Sequence, residues 1–229
     1  MQVTVATQVS FEAAIAARGE VDHAARRDAM LMRAIDVTFA GAAVLLLLPL
    51  LILIIAALKL TSPGPVLFAH RRIGKDGQVF ACYKFRSMVV NSAEVLDTHL
   101  AENADARAEW ARDHKLRKDP RVTSIGRLLR RSSLDEVPQI FNVLRGEMSI
   151  VGPRPIVEGE IIRYRQYIAD YMRVKPGITG LWQISGRNNT TYRRRVALDT
   201  TYARTRSVTL DLAIMARTVP AVVMGSGCY

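Results

Sequence analysis

The stretch "VTFAGAAVLLLLPLLILIIAAL", residues 37–58, decides how the rest of the chain is read. Thr38 is its only polar side chain. About 20 apolar residues suffice for a helix to cross the hydrocarbon core of a bilayer, so the run reads as a membrane segment. The alternative is the core helix of a soluble domain, but such helices rarely lack a polar face. A cleaved signal peptide does not fit: the run is too long, starts too far into the chain, and lacks a small-residue cleavage site.

Two features argue against a simple span. Pro49 removes a backbone hydrogen bond in mid-run and kinks or breaks a helix there. Basic residues flank both ends, with Arg26, Arg27 and Arg33 before the run and Lys59, Arg71, Arg72 and Lys75 after it. Positive flanks favour the cytoplasmic side, so both ends are drawn to one face. A re-entrant helix broken at Pro49 meets both demands. The expected organisation is a tail or interfacial segment over 1–33, a re-entrant membrane helix over 34–60 and one cytosolic domain over 61–229.

The 229 residues carry a net charge of +11. Beside a membrane segment, that charge points to anionic lipid and phosphate-bearing substrates rather than to nucleic acid. Cys82 and Cys228 are far apart and lack metal-ligand spacing, as expected in a reducing compartment. His23, His70, His99 and His114 form no zinc-binding pattern.

After the run, "TSPGPV" (61–66) is a helix-ending turn. Asp76-Gly77 between β-prone segments signals a hairpin. Residues 92–116 read as an exposed helix. Val137, Ile140, Phe141 and Leu144 make an apolar helix face that Gly146 ends. "GPRP" (152–155) is a rigid bend, 158–172 is helical, and "KPGITGLWQISGRNN" (175–189) is a loop. A last helix carries Val208, Leu212, Met215 and Val219 on one stripe and ends near Pro220. The fold class is α+β: one compact, helix-rich domain with a small hairpin or sheet.

Within "RRSSLDEVPQIF" (130–141), Asp135 and Glu136 stand side by side. Ser133 and Glu136 match a capping box, and Asp135 would suit the positive end of a helix. Pro138 counts against that cap, because a proline five residues on costs a helical hydrogen bond. Arg130, Arg131 and Arg145 are close in sequence, and Arg154 is locked between Pro153 and Pro155. Guanidinium forks bind phosphate bidentately. Carboxylates beside such arginines hold a divalent cation or attack phosphorus. The residues alone lead to phosphoryl or diphosphate chemistry at a membrane surface, with a non-catalytic, membrane-anchored basic adaptor as the rival.

"YKFRSM" (83–88), "DPRVTSIGRLLRRSSLDEVPQIFNVLRGEMSIVGPRP" (119–155), "KPGITGLWQISGR" (175–187) and "LDTTYARTRSVTLDLAI" (198–214) resemble the bacterial sugar transferases, the monotopic polyprenyl-phosphate phosphoglycosyl transferases. The resemblance runs from about Met32 onward. It looks closest to the exopolysaccharide-initiating enzymes that transfer galactose-1-phosphate or glucose-1-phosphate. It implies that Asp135 attacks a UDP-hexose, that UMP leaves, and that undecaprenyl phosphate takes the phospho-sugar. Glu136 would orient the nucleophile, and the dyad would hold Mg²⁺. Arg130 and Arg154 match family positions that contact phosphate, with Lys84 a further basic candidate and Pro155 beside them; Asp199 and Asp211 match acidic positions near the active site, with a structural role as the alternative for either. The resemblance also implies the cytoplasmic face of a bacterial inner membrane, contact with membrane lipid and a possible homodimer. One departure is that Leu48 stands before Pro49, where the family usually has Ser.

Overall fold

The computed structural model describes residues 3–113, 116–186 and 191–223, with side chains from 27 to 112, 116 to 186 and 191 to 218. Cys228 and His114 lie outside the described side chains.

One helix, α1 (Val3–Thr61), opens the chain and continues through Pro49. The expected break at Pro49 is therefore corrected: the proline removes one backbone donor, yet the helix carries on past it. The 33/34 boundary is likewise not marked by any interruption of the helix. The core-helix alternative also fails, since only 17% of the most apolar part of the helix is buried.

What is buried forms one stripe. Met32, Asp36, Ala40, Leu51, Ile54 and Leu58 face the rest of the protein, at the three- and four-residue spacings of a helix face. Leu45, Leu46, Leu48, Ile52, Leu53 and Leu60 are exposed. From residue 33 to residue 58 the helix covers about 38 Å, and it is held to the domain over that whole length.

At its start, Arg33 donates to the carbonyls of Val143 and Leu144 at 2.5 and 2.7 Å. Asp36 accepts from Ser149 Oγ at 2.9 Å and from the Ile150 amide at 2.8 Å. At its end, the buried guanidinium of Arg86 donates to the carbonyls of Ser62 and Pro63.

The hairpin forms as its sequence demands. β1 (Leu67–Ile73) and β2 (Val79–Phe85) pair antiparallel from Leu67↔Phe85 to Ile73↔Val79. Asp76 and Gly77 both take positive φ in the turn, which is what such tight connections require.

The helix expected over 92–116 is two helices, α2 (Ser92–Glu102) and α3 (Ala104–Asp113). Asn103 separates them in an extended conformation, and its Oδ1 accepts from the Ala106 amide at 3.0 Å, capping α3. Next come α4 (Ser124–Arg131) and α5 (Gln139–Arg145). Gly146 closes α5 in the left-handed region, as expected.

β3 (Ser149–Val151) and β4 (Gly177–Thr179) form a parallel pair. Three-residue strands carry too little alternation to be read from sequence. The helix expected over 158–172 is broken into turns, with α6 (Ile161–Tyr164) and α7 (Ile168–Met172) separated at Arg165, whose φ is 50°. The long "loop" contains β4 and the short α8 (Leu181–Ile184). α9 (Tyr192–Thr205), unforeseen, precedes α10 (Val208–Val223), which runs past Pro220 instead of ending there.

Among the described residues, four apolar clusters fill the interior. In one, Ala40 of α1 packs with Phe80, Cys82, Ile140, Val143 and Met148. In another, Leu51, Ile54 and Leu58 pack with Phe85 and Leu129.

Gly126 allows α4 to sit directly on the chain after β2. A Cβ there would lie 2.0 Å from the Ser87 carbonyl oxygen. That contact is with backbone, which cannot swing away. Gly126→Ala should lower stability by about 2 kcal/mol or more, read as a fall in the thermal midpoint of the purified protein.

Candidate active site

Three elements converge on one cavity of about 1430 Å³. The first is the β1–β2 hairpin. Its register places Phe68 opposite Lys84 and His70 opposite Cys82, so these side chains share a face with Arg72, two residues on. All five line the cavity.

The second is the segment that follows α4. Thr123 caps that helix, its Oγ1 accepting from the Gly126 amide at 3.0 Å. In its last turn Arg130 Nε donates to Ser87 Oγ at 2.8 Å. Ser133 then adopts a left-handed conformation, with φ 57°, and a single 3₁₀ turn over Leu134–Glu136 carries the two carboxylates. The capping box is not formed. Ser133 makes no side-chain cap to this turn, and the Glu136 carboxylate reaches across to the hairpin. α5 begins after Pro138, so the dyad sits in the preceding turn, as the proline suggested.

The third is the "GPRP" bend between β3 and α6. Arg72 Nη1 donates to the Pro155 carbonyl at 3.3 Å. The Arg154 guanidinium lies 5.9 Å from the centre of the Trp182 ring on α8. Arg154, Pro155 and Trp182 all line the cavity.

At the centre, Lys84 Nζ donates to Glu136 Oε1 at 2.5 Å and lies 3.9 Å from Asp135 Oδ2. The two carboxylates respond differently to this environment. Burial raises the pKa of Asp135, and the charge of Glu136 adds to the rise, while Lys84 and Arg130 oppose it. Burial also pushes Glu136 upward, but the charge and hydrogen bond of Lys84, with Arg154 and Arg72, outweigh it and bring its pKa below the usual value. Glu136 is thus held as an anion by its ion pair. Asp135 is the less compensated carboxylate, and the one with the stronger drive to neutralise its charge.

Lys84, Arg130, Asp135, Glu136, Arg154 and Pro155, spread over some seventy positions of sequence, are brought together. Asp199 and Asp211 are not. Asp199 is buried and accepts from the Tyr164 hydroxyl at 2.7 Å, with Arg195 Nε at 3.7 Å. Its pKa is pushed up to about 6 by burial, against the pull of Tyr164 and Arg195. Asp211 accepts from the Tyr202 hydroxyl at 2.7 Å, beside Arg206. Both carboxylates belong to buried networks that join helices, and neither lines the cavity. Arg145, counted among the nearby arginines, donates instead to the Tyr83 hydroxyl.

Arg72 and His70 were missed as site residues. The signal was available: once Lys84 is taken as a site residue, strand alternation carries the same face across the hairpin to both. Away from the charged end, the cavity wall is apolar, with Phe39 and Ala43 from α1, Ile150 and Ile178 from the parallel pair, and Leu212 and Met215 from α10.

Asp135 and Glu136 supply hard oxygen ligands on one turn. Mg²⁺ characteristically takes one or two carboxylates and completes its shell with waters and substrate phosphates, so the pair fits that ion. Among the described residues no group of three or more His, Cys, Asp or Glu side chains could hold a metal alone.

The sequence profile of the bacterial sugar transferases matches residues 27–225. The chain is 50% identical over 200 residues to the exopolysaccharide production protein ExoY of Rhizobium meliloti (strain 1021), an overlap covering 87% of this chain and 88% of that one. It is 51% identical over 166 residues to the undecaprenyl-phosphate galactose phosphotransferase of Salmonella typhimurium (strain LT2), covering 72% of this chain and 35% of the relative. It is 43% identical over 198 residues to the UDP-glucose:undecaprenyl-phosphate glucose-1-phosphate transferase of Escherichia coli (strain K12), covering 83% and 39% respectively. The chain therefore spans less than half of these two longer relatives. A profile match over most of its length, with a two-carboxylate turn set among cations, makes this chain a member of the bacterial sugar transferase family and an enzyme of the transferase class.

Proposed function

We propose that this enzyme moves hexose-1-phosphate, with galactose or glucose as the sugar, from a UDP-hexose to undecaprenyl phosphate, opening exopolysaccharide synthesis. The observation that carries the reading is the dyad turn: a buried Asp135 beside Glu136, which is neutralised by Lys84, in a cavity that also contains Arg72, Arg130 and Arg154. The names of the similar proteins, which include galactose and glucose phosphotransferases acting on undecaprenyl phosphate, support the donor and acceptor classes.

The reaction runs in two displacements. A carboxylate oxygen of Asp135 attacks the sugar-bearing phosphorus of the UDP-hexose. The bond from that phosphorus to the bridging oxygen breaks, and UMP leaves with the oxygen. A phosphate oxygen of undecaprenyl phosphate then attacks the same phosphorus. The bond to Asp135 breaks, freeing the carboxylate and releasing undecaprenyl-diphospho-hexose. Splitting the exchange suits one soluble and one lipid-held substrate.

Arg130 and Arg154 bind phosphate oxygens as bidentate forks, and Arg72 stiffens the "GPRP" bend through Pro155. Lys84 holds Glu136 and lies within Coulombic reach of any phosphoryl oxygen transferred to Asp135. Mg²⁺, held by Asp135 and Glu136, would neutralise charge on the diphosphate.

The membrane arrangement follows from α1. Between residues 33 and 58 its exposed face is apolar but for Thr38, while Arg33 and Asp36 at one end of this stretch and Leu58 at the other are tied to the same domain. A straight span would put those residues on opposite sides of about 30 Å of hydrocarbon. We therefore propose that the 33–58 stretch of α1 lies within the cytoplasmic leaflet of the bacterial inner membrane, with both of its ends at that one face and its exposed side in contact with lipid. The protein acts there as a monomer or homodimer.

Incubation with UDP-hexose and Mg²⁺ should add the mass of one hexose phosphate to the protein. Asp135→Asn should lose that adduct and drop turnover by about a thousandfold or more; a fully active variant would refute the nucleophile. Asp135 must be ionised to attack, so the rate should fall as pH drops through its raised pKa. Lys84→Met removes the ammonium charge that lowers the Asp135 pKa, so it should move this acid limb to higher pH, measured as the pH profile of adduct formation. Ala6→Cys should resist a membrane-impermeant thiol reagent applied from the periplasmic side, and labelling from that side would refute the one-face arrangement.

A further inference from the structure

Beside the charged end of the cavity is a face that the dyad and its arginines leave unused. Phe68 is the cross-strand partner of Lys84, and His70 is the partner of Cys82. His70 is therefore about 7 Å along the strand from the Phe68–Lys84 pair. The Phe68 and His70 rings meet edge to face with centroids 5.9 Å apart. Phe68 is 52% exposed, so this aromatic pair is presented to the cavity rather than consumed in a core cluster.

The state of the imidazole follows from its neighbour. Arg72 Nη2 lies 3.4 Å from His70 Nδ1. A guanidinium can only donate, so Nδ1 accepts and the ring carries its proton on Nε2. Burial first, and then the charges of Arg72 and Lys84, lower the histidine's pKa against the pull of Glu160. The ring is neutral at pH 7. Lys84, Arg72, Arg130 and Arg154 already supply positive charge to this cavity, and a neutral donor adds little for a phosphate. An exposed aromatic face with one neutral N–H suits an uncharged ring that is apolar on its C–H side and rimmed with hydroxyls.

We propose that Phe68 and His70 form the hexose-recognition face of the cavity. Phe68 packs against the C–H face of the pyranose, and Nε2–H of His70 donates to a ring hydroxyl. The assignment rests on the transfer of hexose-1-phosphate proposed above. With its phosphorus at Asp135, the sugar extends over the strand whose Lys84 bonds the dyad, and the aromatic pair stands directly across that strand.

The test uses the full chain in lipid nanodiscs in an Asp135→Asn background, so that no phospho-sugar is transferred during calorimetry. Affinities are measured for UDP-galactose, UDP-glucose and UDP. His70→Ala and Phe68→Ala should each weaken the UDP-hexose that the parent binds more tightly, by about tenfold, and leave UDP unchanged. Arg71→Ala, on the opposite face of the same strand, should change neither. Equal losses for UDP and UDP-hexose, or no loss for either, would overturn the assignment. An unsubstituted protein that binds neither UDP nor any UDP-hexose in the presence of Mg²⁺ would overturn the underlying function instead.

Discussion

The contact between Lys84 and Glu136 joins the two halves of the site. Lys84 belongs to a strand and Glu136 to a 3₁₀ turn fifty-two residues later. Their ion pair draws the hairpin onto the dyad and separates the duties of two adjacent carboxylates. Glu136, bound by the ammonium group, is fixed in place and in charge. Asp135, 3.9 Å from the same group, is left buried, with less compensation and a raised pKa. A carboxylate in that condition gains from passing its charge to a phosphoryl group, which is the property a covalent step requires.

The backbone around this pair is built for close approach. Ser133 turns the chain in the left-handed region, so the carboxylates follow directly on the α4 helix that carries Arg130. Gly126 lets that helix rest on the Ser87 carbonyl, and Ser87 in turn accepts from Arg130. Arg86, next along, fastens the end of α1. Four consecutive residues, Lys84 to Ser87, thus connect the long apolar helix α1, the dyad and Arg130. A perturbation at any one of them reaches the other two.

Charge and apolarity are also divided within the cavity. Its cations come from the hairpin and the chain after it, the end of α4 and the "GPRP" bend, and its apolar lining is shared by α1, the parallel pair and α10. In the proposed reaction, a diphosphate and a lipid phosphate must meet at one phosphorus. A cavity lined both by cations and by apolar side chains of α1 suits that pair of substrates.

Much of this was legible in the sequence, because the relevant signals are local. The apolar run declared the second half of α1, Asp76-Gly77 declared the hairpin, Pro138 placed the dyad before α5, and proline on both sides of Arg154 marked the bend that carries it into the cavity. Periodicity could not reveal β3 and β4, which are three residues each, or the break at Arg165, which no glycine or proline announces. The continuation of α1 through Pro49 was likewise beyond local rules, since contacts with the domain on both sides of the proline hold the helix together. The sequence by itself singled out Asp135, Glu136, Lys84, Arg130 and Arg154, whose residue types suit phosphoryl chemistry and which the fold gathers in one cavity. Only the tertiary structure decided that Asp199 and Asp211 serve buried tyrosines instead, and that Arg72 and His70 share the site. Residue type sets what a side chain can do; strand register and burial, which are set by distant partners, decide what it meets.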